Sequence, residues 1–388
     1  MEYRIKTLNA ISSAIYTQLD EKYKVADDVT HPQAVLVRSA SMHETPIDDS
    51  VLCIARAGAG YNNIPVDACS EKGICVFNTP GANANAVAEL VLLGMLLSGR
   101  KVVDGIEWAR TLKGQEGVDK LVEKGKNQFA GPELRGKTLG VVGLGAIGIL
   151  VANAAAQGLG MEVLGEDPFI SVQHAWSLSR AIKRVESVDE ILAQSDFVTL
   201  HVPLGEKTRH MIDAAALAKM KPGAHLLNFS RAGLVDGAAV REALASGRMA
   251  TYVTDFPTDD MLGVPGVICI PHLGASTPES EENCARMAAE ELRAYLETGT
   301  IHNSVNLPEM PLGRPEGARL QVIHANAPGM VSRISAIISG EGLNIENMTN
   351  KGRGDWAVTV LETDRPLPEN AMAALRELPQ VVRVRQVL

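Results

Sequence analysis

TLGVVGLGAIG, residues 138–148, is an aliphatic run that leads into three closely spaced glycines and the helix-like continuation AIGILVANAAAQ. Gly143 suits a tight turn, Gly145 lets the backbone approach a diphosphate, and Gly148 allows close packing of helix on strand. The start of the helix would then face the diphosphate with free N–H groups. Strand, glycine turn and helix in this order predict a Rossmann unit that binds a dinucleotide.

The next aliphatic run, MEVLGED, ends at an acidic residue. Asp167 follows Gly148 by 19 residues, the spacing at which a carboxylate hydrogen-bonds the adenosine ribose hydroxyls. The next two residues are Pro168 and Phe169, not arginine. Because Asp167 would repel a ribose phosphate, the sequence favours NAD over NADP.

Aliphatic runs alternate with helix-like segments on both sides of the glycine turn. AVLVRSA, VLCIARAGAG and CVFNTPG precede the turn, and DFVTLHVP, AHLLNFSRAG, TYVTDFP and VICIPHLGAS follow it. SVDEILAQS and DGAAVREALASG each begin with a good helix N-cap and predict crossover helices. This alternation, restarting after a polar Lys- and Gly-rich stretch at 113–137, predicts an α/β protein with two doubly wound parallel-sheet domains.

The C-terminal part of the chain has a different pattern. Residues 304–317 contain Pro308, Pro311 and Pro315 without periodicity and predict a linker. Beyond it, strand and helix patterns follow in the order β-α-β-β-α-β, which predicts a small ferredoxin-like domain.

Composition excludes several classes of protein. The formal charge is −9 and aromatic residues make up 4%, which argues against a nucleic-acid binder or an anionic-membrane binder. The most apolar stretch is too short to cross a bilayer. Five scattered cysteines without a C-x-x-C pair predict neither disulfides nor a metal site. We therefore expect a soluble cytoplasmic protein with no nucleic-acid or membrane partner and no metal.

A set of polar residues follows the aliphatic runs downstream of the glycine turn: Arg231, Asp255, Asp259, Asp260 and His272. The carboxyl ends of strands in a doubly wound sheet face the ligand crevice. Oxidation of a secondary alcohol needs a base, an acid that orients it, and a cation for a substrate carboxylate. One such residue alone is usually an ordinary surface residue, but this set after a dinucleotide turn predicts a dehydrogenase site.

Five ordered blocks of sequence resemble the NAD-dependent D-isomer-specific 2-hydroxyacid dehydrogenases. They are RAGAGYNNI from Arg56, NTPGANANAVAEL from Asn78, GLGAIG from Gly143, NFSRAGLVD from Asn228 and PHLGAST from Pro271. The blocks occur in the order of that family, and the resemblance extends over nearly the whole of the first 300 residues.

The resemblance implies roles for individual residues. The family's catalytic Arg and His fall on Arg231 and His272, and its catalytic Glu falls on Asp260, a side chain shorter by one methylene, with Asp259 as the rival. Its cofactor contacts fall on Gly143, Gly145, Ala146, Ile147, Gly148, Asp167, Phe229, Ser230, Asp255 and Gly274.

The resemblance also implies a phosphorylated substrate. Arg56 and Arg38 follow early aliphatic runs and would bind the phosphate, with Asn78 and the loop from Gly81 beside them. The expected reaction is oxidation of 3-phospho-D-glycerate to 3-phosphohydroxypyruvate, the first step of serine synthesis. Two alternatives stay open: an NADH-dependent reductase of hydroxypyruvate or glyoxylate, and a non-enzymatic NADH-sensing scaffold.

The family's organisation implies a flavodoxin-like substrate-binding domain at 1–93 and 282–303, with a Rossmann NAD-binding domain inserted at 94–281 and a cleft between them. A linker at 304–317 then leads to an ACT regulatory domain at 318–388. HANAPGMVSRI and EGLNIENM resemble the ACT domain, and the effector contacts of serine-inhibited members fall on His324, Asn326 and Asn344. We expect L-serine as effector, with an ACT domain used only for assembly as the alternative, and a homodimer or homotetramer.

Overall fold

The computed structural model describes residues 2–315 and 317–387. Met1, Glu316 and Leu388, which belong to the expected substrate-binding domain, linker and regulatory domain, lie outside the described residues. The chain divides into two compact units. Unit 1 comprises Met1–Asn83 and Pro278–Leu388, and unit 2 comprises Ala84–Thr277.

The N-terminal part of unit 1 is a parallel sheet with the order β2-β1-β3-β4-β5. Its strands are β1 (Tyr3–Thr7), β2 (Tyr23–Ala26), β3 (Ala34–Val37), β4 (Cys53–Arg56) and β5 (Cys75–Phe77), with a 3-10 helix at Ser13–Thr17 and helix α1 at Val66–Glu71. The order is that of a flavodoxin-like sheet, as predicted. Every residue of β3 is buried, as expected for a central parallel strand covered on both faces.

Unit 2 is a parallel sheet of seven strands with helices between them. Its elements are α2 (Ala84–Arg100), α3 (Val102–Thr111), α4 (Val118–Gly125), β6 (Thr138–Val142), α5 (Ala146–Gln157), β7 (Glu162–Glu166), α6 (Val172–Ser177), β8 (Ile182–Arg184), α7 (Val188–Gln194), β9 (Phe197–Leu200), α8 (Ala214–Lys219), β10 (Ala224–Asn228), α9 (Gly237–Ala245), β11 (Met249–Thr254) and β12 (Val267–Cys269), with 3-10 helices at Lys126–Phe129 and Ala232–Leu234. The order β12-β11-β10-β9-β6-β7-β8 is the doubly wound Rossmann arrangement that the glycine turn predicted.

The local sequence predicted some of the helices of unit 2 but not others. The predicted crossover helices α7 and α9 are present, capped by the side chains of Ser187 and Asp236. The polar stretch at 113–137, for which no helix was predicted, contains α4. Helix α2 runs without a break through position 93, the expected end of the first domain segment, because its apolar face packs in the core of unit 2.

The remainder of unit 1 is a long helix followed by an antiparallel sheet. Its elements are α10 (Pro278–Thr298), β13 (Ala318–Ala325), α11 (Met330–Gly340), β14 (Ile345–Arg353), β15 (Trp356–Thr363), α12 (Glu369–Glu377) and β16 (Val381–Val387). The element order is β-α-β-β-α-β and the sheet order is β14-β15-β13-β16, so the predicted ferredoxin-like fold is confirmed. None of the helices in the described residues is long and apolar enough to span a bilayer.

The segment 304–317, expected as a linker, is packed into unit 1 over its first part. Ser304, Asn306 and Met310 are buried. The Asn306 side chain accepts the N–H of Val76 at 2.9 Å and donates to the Ile74 carbonyl at 2.9 Å, so it substitutes for a neighbouring strand at the edge of the sheet. The sequence pattern shows no periodicity here because the Asn306 amide and isolated backbone bonds, such as that from the Val305 N–H to the Val76 carbonyl at 2.8 Å, hold the segment rather than a continuous ladder.

Candidate active site

The glycine turn of unit 2 has the geometry of a diphosphate site. Gly143 adopts a φ of 91°, and a Cβ at this position would lie 2.6 Å from the carbonyl oxygen of His201. Gly148 packs directly on the Gly143 carbonyl. A Cβ on Gly145, at the N-terminus of α5, would meet nothing within 4 Å. Open space beside Gly145, where helix N–H groups are free, fits a dinucleotide diphosphate.

Asp167, at the end of β7, is held in a fixed orientation. Its carboxylate accepts the N–H of Leu144 at 2.9 Å and the N–H of Phe169 at 2.8 Å. Each oxygen thus has one backbone donor and keeps a lone pair free. This carboxylate, together with Ala146 and Ile147 in the first turn of α5, fits the adenosine side of NAD.

The loop after β10 presents Arg231 to solvent. The buried Asn228 side chain donates to the Arg231 carbonyl at 2.9 Å, and the Ser230 hydroxyl donates to the Leu200 carbonyl at 2.7 Å. These bonds fix the loop and leave the Arg231 guanidinium exposed. The Phe229 side chain is 5% exposed and packs against Gly94 of α2, so only its backbone could contact a cofactor.

Asp255 and His272 lie together beyond the ends of β11 and β12. The His272 backbone N–H donates to the Asp255 carbonyl at 3.0 Å, and His272 has a left-handed φ of 46°. The Asp255 carboxylate is buried and accepts the N–H of Gly274. Burial raises the pKa of Asp255, while the charges of His272 and Arg231 oppose that rise. The structure therefore brings Arg231, Asp255 and His272 together.

Asp260 points elsewhere. Its carboxylate forms a hydrogen bond with Thr258 and an ion pair with Arg241 of α9, and both interactions lower its pKa. The side chain is 52% exposed. The structure does not bring Asp260 together with His272, and the carboxylate on which the His272 charge acts is that of Asp255.

The predicted phosphate-binding residues of unit 1 lie at one edge of its parallel sheet. Arg38 follows β3, Arg56 ends β4 and Asn78 follows β5. Because these strands are parallel neighbours, their carboxyl ends meet at the same edge. The Asn78 side chain donates to the Ala59 carbonyl at 2.5 Å, and the Arg38 guanidinium forms an ion pair with Glu281.

Each of the two loops at this edge contains a glycine that the local structure explains. The Arg56 guanidinium lies so close to Gly58 that a Cβ at that position would collide with it. Gly81, after β5, has a φ of 82°, a conformation that glycine adopts most readily.

The geometry of unit 2 agrees with comparisons to known proteins. Residues 94–274 match the model of the D-isomer specific 2-hydroxyacid dehydrogenase, NAD binding domain. Over 98% of its length the chain is 31% identical to D-3-phosphoglycerate dehydrogenase of Escherichia coli (strain K12), of which it covers 94%. The chain belongs to the D-isomer specific 2-hydroxyacid dehydrogenase family. The predicted family and its NAD-binding domain are thereby confirmed.

Two further similarities to this dehydrogenase family extend the comparison. The chain is 35% identical to D-3-phosphoglycerate dehydrogenase of Methanocaldococcus jannaschii over 84% of its own length, and it spans 62% of that relative. The NAD+-bound 3-phosphoglycerate dehydrogenase of Entamoeba histolytica matches with a TM-score of 0.60 and 26% identity, over 80% of this chain and all of that one.

The three predicted effector residues of this dehydrogenase are not brought together within one chain. His324 is buried in β13, where its ring nitrogens lie 2.8 Å from the Ala325 carbonyl and 2.8 Å from the Thr359 hydroxyl. Asn326 follows the end of β13, whereas Asn344 precedes β14 at the opposite end of the sheet. A ligand that touches all three would need residues from two copies.

Three further side chains contact residues of the site, and the sequence alone did not single them out. The Asn9 amide oxygen accepts the N–H of Arg38 at 3.1 Å, and the Asn63 amide donates to the Arg38 carbonyl at 3.4 Å. Phe256 contacts both Arg231 and His272. Asn63 lies within the quoted block RAGAGYNNI, and Phe256 directly follows Asp255, so only their positions hinted at these contacts.

Proposed function

We propose that this dehydrogenase catalyses the NAD-dependent oxidation of 3-phospho-D-glycerate to 3-phosphohydroxypyruvate. The observation that carries the proposal is the placement of Arg38 and Arg56 at one edge of the unit 1 sheet, where Arg56, and Arg38 once it leaves Glu281, can bind a phosphate. The similarity to proteins named D-3-phosphoglycerate dehydrogenase supports it.

The cofactor of the proposed reaction is NAD. Gly143, Gly145 and the start of α5 would hold its diphosphate, and Asp167 its adenosine ribose. The part of NAD beyond the diphosphate is proposed to contact Ser230, Asp255, Gly274 and the Phe229 backbone. Bound NAD supplies the acceptor for the hydride that leaves the substrate carbon.

His272 and Arg231 are proposed to handle proton and charge. Neutral His272 accepts the proton of the C2 hydroxyl in the oxidative direction, and the imidazolium returns it in reverse. Arg231 binds the substrate carboxylate through two N–H groups and stabilises the negative charge that develops on the C2 oxygen. Asp255 is positioned to stabilise the imidazolium, whereas Asp260 would first have to leave Arg241.

Arg56 is the residue to test for phosphate recognition. We expect Arg56→Met to raise KM for 3-phosphohydroxypyruvate by about a hundredfold, as the loss of a charged hydrogen bond predicts, and to leave KM for hydroxypyruvate within about twofold. Arg180→Met, at an exposed arginine of unit 2, serves as the control. Equal effects on both substrates would instead favour a reductase of unphosphorylated 2-oxo acids.

We also propose that the C-terminal part of unit 1 is an ACT domain that binds L-serine between two copies of the chain, in a cytoplasmic homodimer or homotetramer. Asn326 and Asn344 offer amide donors and acceptors that suit a zwitterion. We expect L-serine to inhibit turnover and Asn344→Ala to weaken that inhibition at least about tenfold, without changing uninhibited turnover. If L-serine has no effect on wild-type turnover, the remaining interpretation is an ACT domain that serves only assembly.

A further inference from the structure

Phe256 lies between the two functional groups of the proposed reaction in unit 2. Its ring centroid is 4.6 Å from that of the His272 imidazole, with an angle of 43° between the planes. The Arg231 guanidinium carbon lies 5.8 Å from the same Phe256 centroid. One side chain therefore contacts both the proposed base and the proposed carboxylate-binding cation.

We propose that Phe256 is a positioning residue that fixes His272 and Arg231 for the reaction, an inference that rests on the proposed function. It touches both groups and is not itself proposed to bind substrate or cofactor. The hydrophobic clusters formed by the described residues do not include Phe256, so its ring does not serve to fill a core.

The backbone hydrogen bonds of His272 fix its main chain but do not orient its ring. His272 has a φ of 46°, a conformation that is uncommon for residues other than glycine. Its backbone N–H is shared between the carbonyls of Asp255 at 3.0 Å and Ile270 at 2.9 Å, which fixes the main chain but leaves the ring to rotate. The ring is otherwise exposed, so packing against Phe256 restricts its rotamers.

Phe256 itself is well placed for this role. Its N–H donates to the Thr254 hydroxyl at 3.1 Å, which fixes the chain where β11 ends. The face of an aromatic ring attracts cations, so the ring favours both the guanidinium and the imidazolium. An aliphatic side chain of similar size would keep the packing in part but would lose that attraction.

The test compares Phe256→Leu with Phe256→Tyr, which keeps the aromatic face. Phe129→Leu is the matched control, because Phe129 is a partly exposed aromatic residue of the same unit that contacts the Trp108 ring at an interplanar angle of 45°. We expect Phe256→Leu to lower kcat with 3-phosphohydroxypyruvate by roughly ten- to a hundredfold. The Kd for NADH should stay within about twofold, and both Phe256→Tyr and Phe129→Leu should stay near wild type.

The pH profile separates positioning from a merely structural effect. Turnover in the reductive direction requires protonated His272, and loss of the aromatic face makes the imidazolium less stable. In Phe256→Leu, turnover should therefore fall at a pH about half a unit lower than in the wild type. An unchanged profile with kcat close to that of Phe129→Leu would overturn the proposal.

A readout without turnover separates this proposal from the proposed function. Diethyl pyrocarbonate labelling of His272, followed by mass spectrometry of its peptide, should be severalfold faster in Phe256→Leu, because one ring face loses its cover. Equal labelling in the wild type and Phe256→Leu would contradict positioning even if the wild type reduces none of the 2-oxo acids. A wild type without turnover but with faster labelling in Phe256→Leu would contradict the proposed function alone.

Discussion

At the residue scale, the structure differs from the sequence-based expectation in the carboxylate that lies beside His272. The family resemblance placed that role on Asp260, whereas the structure pairs Asp260 with Arg241. Asp255, which the family resemblance implied as a cofactor contact, is buried beside His272 and Arg231, and the charges of both act on it. Because the two carboxylates have different surroundings, the pKa of Asp255 is raised and that of Asp260 is lowered.

Substitution of each acid by its amide distinguishes them. We expect Asp255→Asn to lower kcat at least about tenfold and to shift the loss of reductive turnover to lower pH, because a negative charge next to the imidazolium is removed. Asp260→Asn should have a smaller effect, and Asp259→Asn the smallest. The measurement is kcat against pH for all three variants. An Asp260→Asn effect that equals or exceeds the effect of Asp255→Asn would contradict the assignment.

At the element scale, the turn between β6 and α5 carries the cofactor site. Gly145→Ala should fold normally, since its Cβ meets nothing within 4 Å, yet weaken NADH binding about tenfold by occupying the diphosphate position. Gly148→Ala should instead lower Tm, because its Cβ would collide with the Gly143 carbonyl. Thermal unfolding and NADH fluorescence titration check the pair. Normal NADH affinity in Gly145→Ala would contradict the proposed site.

Helix α10 contains a buried acid that couples stability to pH. Glu291 is 4% exposed and hydrogen-bonded by the Asn303 amide at 2.7 Å, and burial raises the pKa of its carboxyl to about 9. The folded state therefore holds a proton that the unfolded chain releases above its ordinary pKa near 4.5. Stability from this group is complete below that pH, falls as pH rises towards 9, and is constant above it.

Glu291→Gln should remove this decline while keeping the acceptor for Asn303. We expect the free energy of unfolding of the variant to exceed that of the wild type by about 2 kcal/mol or more at pH 8 and by nearly nothing at pH 4.5. Glu290→Gln, at the exposed neighbouring position, is the control. Denaturant unfolding at both pH values measures the difference, and a gain of equal size at pH 4.5 and 8 would contradict the account.

At the scale of the whole molecule, a buried arginine of unit 1 connects the antiparallel sheet to the end of α10 and to the segment 304–317. Arg319 is 2% exposed, forms an ion pair with Glu362, and donates to the carbonyls of Thr298 at 2.6 Å and Gly313 at 2.8 Å. Arg319→Met would leave Glu362 without its ion-pair partner, so we expect the free energy of unfolding to fall by about 3 kcal/mol. Arg376→Met, at an exposed ion pair, should cost less than about 1 kcal/mol. Equal losses in denaturant unfolding would contradict this role.

Much of the fold could be predicted from the sequence, because its signals are local. The glycine spacing at Gly143, Gly145 and Gly148 determines a strand, turn and helix, and N-caps such as Ser187 and Asp236 mark helix starts. The contacts that the sequence did not reveal join residues distant in the chain. Asn306 reaches a strand some 230 positions earlier, and Arg241 reaches Asp260 from another element. Such pairings depend on packing that local patterns do not encode.

The preference of the enzyme among 2-oxo acids distinguishes phosphate recognition from the alternatives. The measurement is loss of NADH absorbance with 3-phosphohydroxypyruvate, hydroxypyruvate and glyoxylate at equal concentration, with and without L-serine. The account predicts that kcat/KM is at least about a hundredfold higher for the phosphorylated acid, as two phosphate-binding arginines imply, and that L-serine suppresses this turnover. A preference for hydroxypyruvate or glyoxylate would contradict it.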